Sequence, residues 1–186
     1  MKLFAVYSKV HLTQKPTWLD EFYKKYNPSS SGYHVTLKQP CYLKEEDIPN
    51  VKNQLAGLFN SAPIPSHEII LNFNDLAIDI GIGEFKSIMI HAEHQPSIHK
   101  LQKHILETLS TYKDYVDAES EAWEKNFKPH LTLASDINRT QYELALKELR
   151  NDYACKGVIQ DVSLIIVEKM IPAEADNIKN QTIYRL

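Results

Sequence analysis

The chain has 186 residues, of which 43% are hydrophobic and 24% charged, with five Gly and nine Pro. That balance excludes disordered, collagen-like and coiled-coil classes, and no apolar stretch approaches the ~20 residues of a membrane-spanning helix. The net charge of −3, from 21 basic and 24 acidic residues, argues against a protein that grips long nucleic acid, since such proteins carry a basic surplus.

Residues 2–10, with Leu3, Phe4, Val6 and Tyr7, read as an opening strand; their apolar run breaks too early for a signal peptide. A helix opens at Pro16, carries Trp18, Leu19, Phe22, Tyr23 and Tyr26 at helical spacing, and ends in the loop Pro28-Ser29-Ser30-Ser31-Gly32. Tyr33 to Lys38 is the next strand, stopped by Pro40. Lys44 to Asn60 is helical, and Pro63 and Pro65 break it. Residues 67–80 and 84–92 form two β segments around a hairpin-like turn, Gly81-Ile82-Gly83. Pro96 opens a helix with Ile98, Leu101, Ile105 and Leu109 on one side. Glu119 to Glu124 is expected as a solvated acidic loop. Phe127 to Ala134 reads as a strand, Asp136 to Tyr153 as a helix with Asn138 as N-cap, residues 157–169 as a strand, and Thr182 to Tyr184 as a short last one.

The order is β-α-β-α-β-β-α-β-α-β-β, without a glycine fingerprint for dinucleotides. Strands arriving in hairpin-like pairs predict antiparallel sheet and an α+β class. The two halves follow a similar succession, which suggests an internal duplication within one domain spanning 1–186. Cys41 and Cys155 are far apart and outside any CxxC pair, so free thiols in a reducing cytoplasm are expected.

The strongest local signal is a repeated pattern. Tyr33-His34-Val35-Thr36-Leu37 is matched by Pro129-His130-Leu131-Thr132-Leu133, 96 residues on. Residues i and i+2 of a strand share a face, so His34 with Thr36, and His130 with Thr132, point away from their apolar neighbours. Chance supplies about 0.3 His-x-Thr triplets in a chain of this composition, and three occur. The third, His11-Leu12-Thr13, runs into Gln14-Lys15-Pro16 and is read as the end of a strand and a decoy.

Imidazole titrates near pH 6.5, so of two facing histidines one can hold a proton while the other lacks it. Such a pair can act as general base and general acid on opposite sides of a phosphorus centre. The threonine hydroxyls can donate to the non-bridging phosphate oxygens, where charge develops. The pattern points to a phosphodiester with an adjacent leaving hydroxyl as substrate, and requires neither metal nor cofactor.

Paired strand-borne His-x-Thr motifs in a chain of this length resemble the two-histidine (2H) phosphoesterase superfamily, in its 2′-5′ RNA ligase or RNA 2′,3′-cyclic phosphodiesterase branch. The resemblance implies a bilobal α+β fold, two antiparallel sheets facing across a central cleft with helices outside and a pseudo-two-fold duplication. It implies that His34, Thr36, His130 and Thr132 line the cleft: the histidines catalytic, the threonines binding substrate. It also implies a metal-independent hydrolase acting on 2′,3′-cyclic phosphates or related nucleotide and RNA-end phosphodiesters, with 2′-5′ joining of RNA ends known in the family. Which histidine is acid and which base stays open.

One departure matters. Many relatives follow the second motif with a basic residue where this chain has Ser135. The cation beside the phosphate is then absent or supplied by Lys38, Lys128 or Lys9, and a small nucleotide or a short RNA end is the expected partner of a cytoplasmic monomer. The rival readings are cleavage of 2′-5′ oligoadenylate or cyclic nucleotide signals, and a non-catalytic module that binds RNA ends or nucleotides in the same cleft.

Other residues carry weaker signals. His91-Ala92-Glu93-His94, with His99 and His104, invites a metal reading, but the i, i+5 spacing of His99 and His104 does not suit two ligands on one helix face; a solvated surface is expected there. Trp123, Phe127, Tyr7, Tyr33 and Tyr42 are core residues by default, and an aromatic at the cleft mouth could stack a base.

Overall fold

The computed structural model describes the chain except residues 28–31, 62–66 and 81–85. The serine-rich stretch after Pro28, the breaks at Pro63 and Pro65, and the turn at Gly81-Ile82-Gly83 lie outside the described residues.

The strands are β1 (Lys2–Lys9), β2 (His11–Gln14), β3 (His34–Leu43), β4 (Ile69–Ile80), β5 (Lys86–Ala92), β6 (His130–Ile137), β7 (Cys155–Ile159), β8 (Asp161–Val167) and β9 (Gln181–Arg185). The helices are α1 (Leu19–Tyr26), α2 (Ile48–Asn60), α3 (Pro96–Thr108), α4 (Ser120–Lys125), α5 (Arg139–Glu148) and α6 (Pro172–Ala175). Two antiparallel sheets result, a first in the order β3-β1-β8-β9 and a second in the order β2-β7-β4-β5-β6. The class is α+β, as the paired strands require.

Amphipathic helices cover the apolar sheet faces. Leu19, Phe22 and Tyr26 of α1, Val51 and Leu55 of α2, and Ile98, Leu101 and Ile105 of α3 are buried in one core. It also holds Val35 and Leu37 of β3 and Leu131 and Leu133 of β6. Strand β1 is covered on both faces. Phe4 and Val6 enter that core, while Tyr7 packs with Ile165, Val167 and Ala175 in a smaller cluster. Asn138 caps α5 with its side chain on the Gln141 amide, and Gln141 returns the bond, a reciprocal capping box.

Five elements differ from the sequence reading. Strand β3 continues through Pro40 to Leu43. It is an edge strand whose register against β1 shifts between Phe4 and Val6, and a bulge on an edge is where a residue without an N–H is tolerated. The Pro40 carbonyl accepts from Val116. The expected strand 157–169 is two strands split at Gln160, β7 in the second sheet and β8 in the first. His11-Leu12-Thr13 is not a strand end but lies within β2, which pairs with β7. Residues 120–125 are helix α4 rather than a solvated loop, with Glu124 buried. Helix α5 closes at Glu148, well before Tyr153.

The chain passes between the sheets four times, and two of these passages take a single residue, Val10 between β1 and β2 and Gln160 between β7 and β8. Gly157 lies beside the first crossing, paired with Leu12 on one side and Leu71 on the other. A Cβ there would collide with Val10 Cγ1 and come within 3.3 Å of the His11 carbonyl. Overpacking of this kind costs about 1–3 kcal/mol, so Gly157→Ala is expected to lower the denaturant midpoint with an unchanged m-value; an unaltered midpoint would show that the crossing yields easily.

Candidate active site

Both motif strands lie at a sheet edge, β3 in the first sheet and β6 in the second, and they pack beside each other where the sheets meet. Period-2 alternation sets the direction of their side chains. Val35, Leu37, Leu131 and Leu133 are buried in the core, and His34, Thr36, His130 and Thr132 are half-buried on the opposite faces. The two histidines are near enough for the charge of one to act on the other. The four residues singled out from sequence are thus brought together. His11 is not with them: β2 is the far edge of the second sheet from β6, and His11 is exposed.

The two histidines are held in matching ways. His34 Nδ1 lies 2.8 Å from the Gly32 carbonyl, and His130 Nδ1 lies 2.8 Å from the Lys128 carbonyl, each two residues back along the chain. A carbonyl only accepts, so in both rings Nδ1 carries the hydrogen and donates. Nε2 is left without a hydrogen-bond partner among the described residues, a lone pair in the neutral ring and an acid in the protonated one. Gly32 has a φ of 87°, a left-handed conformation that side chains disfavour.

Burial pulls both imidazoles below their ordinary value of 6.5. For His34 the Gly32 carbonyl and the Asp176 carboxylate oppose that fall and Lys9 adds to it. For His130 the Lys128 carbonyl opposes it, and the charges of His91 and His34 add to it. The surroundings of the two rings therefore differ: a carboxylate faces His34, while His130 stands among other histidines.

Strand register explains these neighbours. Lys9 of β1 pairs with His34, and its ammonium lies 3.8 Å from Asp176. Tyr7 pairs with Thr36, its ring edge-on to His34 at 5.4 Å, and burial pushes its phenol up to about 12. In the second sheet His91 pairs with both His130 and Asp75, so the three share one row. His91 Nδ1 is 3.3 Å from Asp75 Oδ2, and the His91 and His130 ring centroids are 6.0 Å apart. The side chain of His91 is only 13% exposed, which corrects the solvated-surface reading for this residue. Among the described residues no group of three or more His, Cys, Asp or Glu is arranged to hold a metal ion.

Of the cations considered in place of the missing basic residue, Lys38 is excluded. It is buried and paired with Glu124 at 3.3 Å, and Glu124 also accepts from the Gln39 amide and the Tyr115 hydroxyl. Lys128 is exposed and meets His130 through its carbonyl. Lys9 keeps a place next to His34. The Ser135 hydroxyl donates to Asn27 at 2.7 Å, and Asn27 donates to the Thr132 carbonyl, which staples the end of α1 to β6.

Trp123 is 40% exposed, with its ring 6.1 Å from that of His130. Tyr33 instead donates its hydroxyl to Leu19 and Asp20, and Phe127 packs edge-on to His99. Cys41 and Cys155 are buried free thiols, both raised by burial, Cys155 to about 11.

Comparison with known proteins bears on the fold and the family. No curated protein matches the chain. Among solved structures, Usb1 of Kluyveromyces marxianus superposes with a TM-score of 0.54 at 8% identity, covering 99% of this chain and 98% of that one. TT0787 of Thermus thermophilus gives 0.53 at 18% identity, covering 100% and 95%. Usb1 of K. marxianus with uridine monophosphate gives 0.51 at 9%, covering 99% and 98%. At such identities the likeness is one of fold. A family model for the 2′-5′ RNA ligase superfamily matches residues 17–169, a span that contains both His-x-Thr motifs, and the chain belongs to that superfamily of 2H phosphoesterases.

Proposed function

We propose that the protein is a metal-independent phosphodiesterase that opens nucleoside 2′,3′-cyclic phosphates or closely related RNA-end phosphodiesters, with His34 and His130 as its acid–base pair. The observation that carries this reading is the matched seating of the two rings, each with Nδ1 bound to a carbonyl two residues back and Nε2 without a hydrogen-bond partner among the described residues, on a strand face that also carries a threonine. One Nε2 takes a proton from water as its oxygen attacks phosphorus. The P–O bond to one ribose oxygen breaks, and the other Nε2–H gives that oxygen its proton. Thr36 and Thr132 donate to the non-bridging oxygens. The product is a nucleoside monophosphate with a free neighbouring hydroxyl; the same ring opening with a 5′-hydroxyl in place of water, breaking the bond to O3′, joins ends through a 2′-5′ link.

The surroundings support a division of roles. His130, among histidines, is favoured as the neutral base, and His34, facing Asp176, as the protonated acid. With Lys38 engaged in the interior and Lys9 beside Asp176, a small nucleotide or RNA end fits better than a long strand. Uridine monophosphate, present in the Usb1 structure, is a ligand of that size.

The test is a panel of nucleoside 2′,3′-cyclic phosphates, ADP-ribose 1″,2″-cyclic phosphate, and 2′-5′ and 3′-5′ dinucleotides, incubated with the purified protein in excess EDTA. Turnover of the cyclic phosphates is expected. No turnover of any compound favours a binding module, and turnover that zinc or manganese must restore overturns the metal-free scheme. Because burial disfavours the charged form of both rings, both limbs of the kcat/KM profile shift toward acid. The maximum is expected below pH 6.5, the ordinary imidazole value. A maximum above pH 7.5, or a flat profile, would remove the histidine pair from the chemistry.

A further inference from the structure

The cleft contains a third histidine that the two motifs do not account for. His91 stands directly beside His130 in the β5–β6 ladder, and Asp75 stands directly beside His91 in the β4–β5 ladder. Directly opposed residues of antiparallel strands share a face, so Asp75, His91 and His130 form one row on the side of the sheet that carries Thr132. A carboxylate accepts, so the 3.3 Å approach of Asp75 Oδ2 orients His91 with its hydrogen on Nδ1. Its Nε2 has no hydrogen-bond partner among the described residues. The ring is nearly covered, whereas most of Asp75 reaches solvent. This is an imidazole buttressed from behind by an anion, one strand away from the proposed base.

We infer that His91, seated by Asp75, is the phosphate-side positioning residue of this cleft, an N–H donor that offers the phosphate the contact Ser135 cannot. The inference rests on the reading of the cleft as a phosphodiester site. A phosphate between His91 and the threonines would meet an N–H donor carrying a full charge, the stronger kind of hydrogen bond. The same charge, 6.0 Å from His130 between ring centroids, opposes a second proton on that ring. The other charged or titratable groups around the pair are His34 facing His130 from β3, and Lys9 and Asp176 on the far side of His34.

The experiment compares the wild type with His91→Gln, His91→Arg and Asp75→Asn. KM and kcat for uridine 2′,3′-cyclic phosphate are measured from pH 5 to 8, and Kd for inorganic phosphate is followed by imidazole NMR. Glutamine is expected to raise KM and the phosphate Kd about tenfold, the loss of one charge-assisted hydrogen bond, with kcat changed less than threefold at the optimum. Its acidic limb should move upward by roughly half to one pH unit, because a nearby like charge has gone. Arginine, which restores the charge, should bring KM back to within threefold of wild type and return the limb. Asp75→Asn, at an exposed position, should show a smaller shift of the same sign. A phosphate Kd unchanged in His91→Gln overturns the inference, as does an arginine variant no better than glutamine with the limb unmoved. The phosphate titration needs no turnover, so a wild type inert toward every cyclic phosphate would end the proposed activity while the Kd ratio still decides the role of His91.

Discussion

Replacing His34 or His130 with alanine is expected to lower kcat by at least ~100-fold, the usual scale for losing a general acid or base. Each ring is fixed by one hydrogen bond to a carbonyl two residues back, and each is half-buried on a strand face whose alternate residues form the core. Truncation therefore removes an Nε2 without touching Val35, Leu37, Leu131 or Leu133, and the variants should stay folded. Thr36→Ala and Thr132→Ala should cost less, since each deletes one hydroxyl donor among several. His11→Ala is the control: the third His-x-Thr lies on β2, at the far edge of the second sheet, and the variant should keep its rate within a few-fold. The measurement is single-turnover and steady-state hydrolysis of one cyclic phosphate. An inactive His11 variant beside an active His34 variant would mean that the wrong motifs had been paired.

The largest stability effect is expected at Glu124. Its carboxylate and the Lys38 ammonium are 3.3 Å apart, with side-chain exposures of 6% and 2%, and the carboxylate also accepts from the Gln39 amide and Tyr115. Glu124→Ala strands a buried ammonium together with two donors. Removing one partner of a buried pair costs about 3–5 kcal/mol, a fall in Tm of roughly 10 °C for a chain of this size. The double variant Lys38→Met with Glu124→Gln leaves no uncompensated charge and keeps an acceptor for Gln39 and Tyr115, so it should recover at least half of the loss. Thermal unfolding followed by circular dichroism is the check. A Glu124→Ala chain that melts within 2 °C of wild type would mean that water reaches Lys38.

These two sites mark what the sequence reveals readily and what it conceals. The direction of His34 and Thr36, or of His130 and Thr132, follows from strand parity alone, a property of four consecutive residues. Lys38 continues the same strand, and parity cannot show that its partner arrives from 86 residues away on a short helix. An acidic stretch such as Glu119 to Glu124 has the composition of a solvated loop, and only packing against β3 selects the one carboxylate that turns inward. The division at Gln160 is hidden for another reason: the polar pair Gln160-Asp161 between Ile159 and Val162 also suits a solvent-facing interruption of one strand, and carries no mark of a change of sheet. His91 is partly legible. A turn centred on Ile82, as the glycines suggest, would set Asp75 opposite Met89, two residues along the same face from His91, whereas the β4–β5 ladder sets it opposite His91 itself. Which face they share, however, depends on the register shift between Phe73 and Asp75, and that irregularity has no signature in the residue types.

The passages between sheets at Val10 and Gln160 bear on the order in which the protein can be built. The first sheet joins β1 to β8, so Leu3 is hydrogen-bonded beside Val167, and β2 waits similarly for β7. A ribosome delivers His34 early, but the sheet on which it rests lacks its central pairing until β8, which begins at Asp161, has emerged. Neither half of the cleft is a contiguous stretch of polypeptide, and closure of such distant pairs is slow. During synthesis the strands β4, β5 and β6 can pair first, since each follows the last along the chain. Strands β1 and β3 can pair as early, so the strands of His34 and His130 each gain one neighbour before β7 and β8 dock and complete the two sheets.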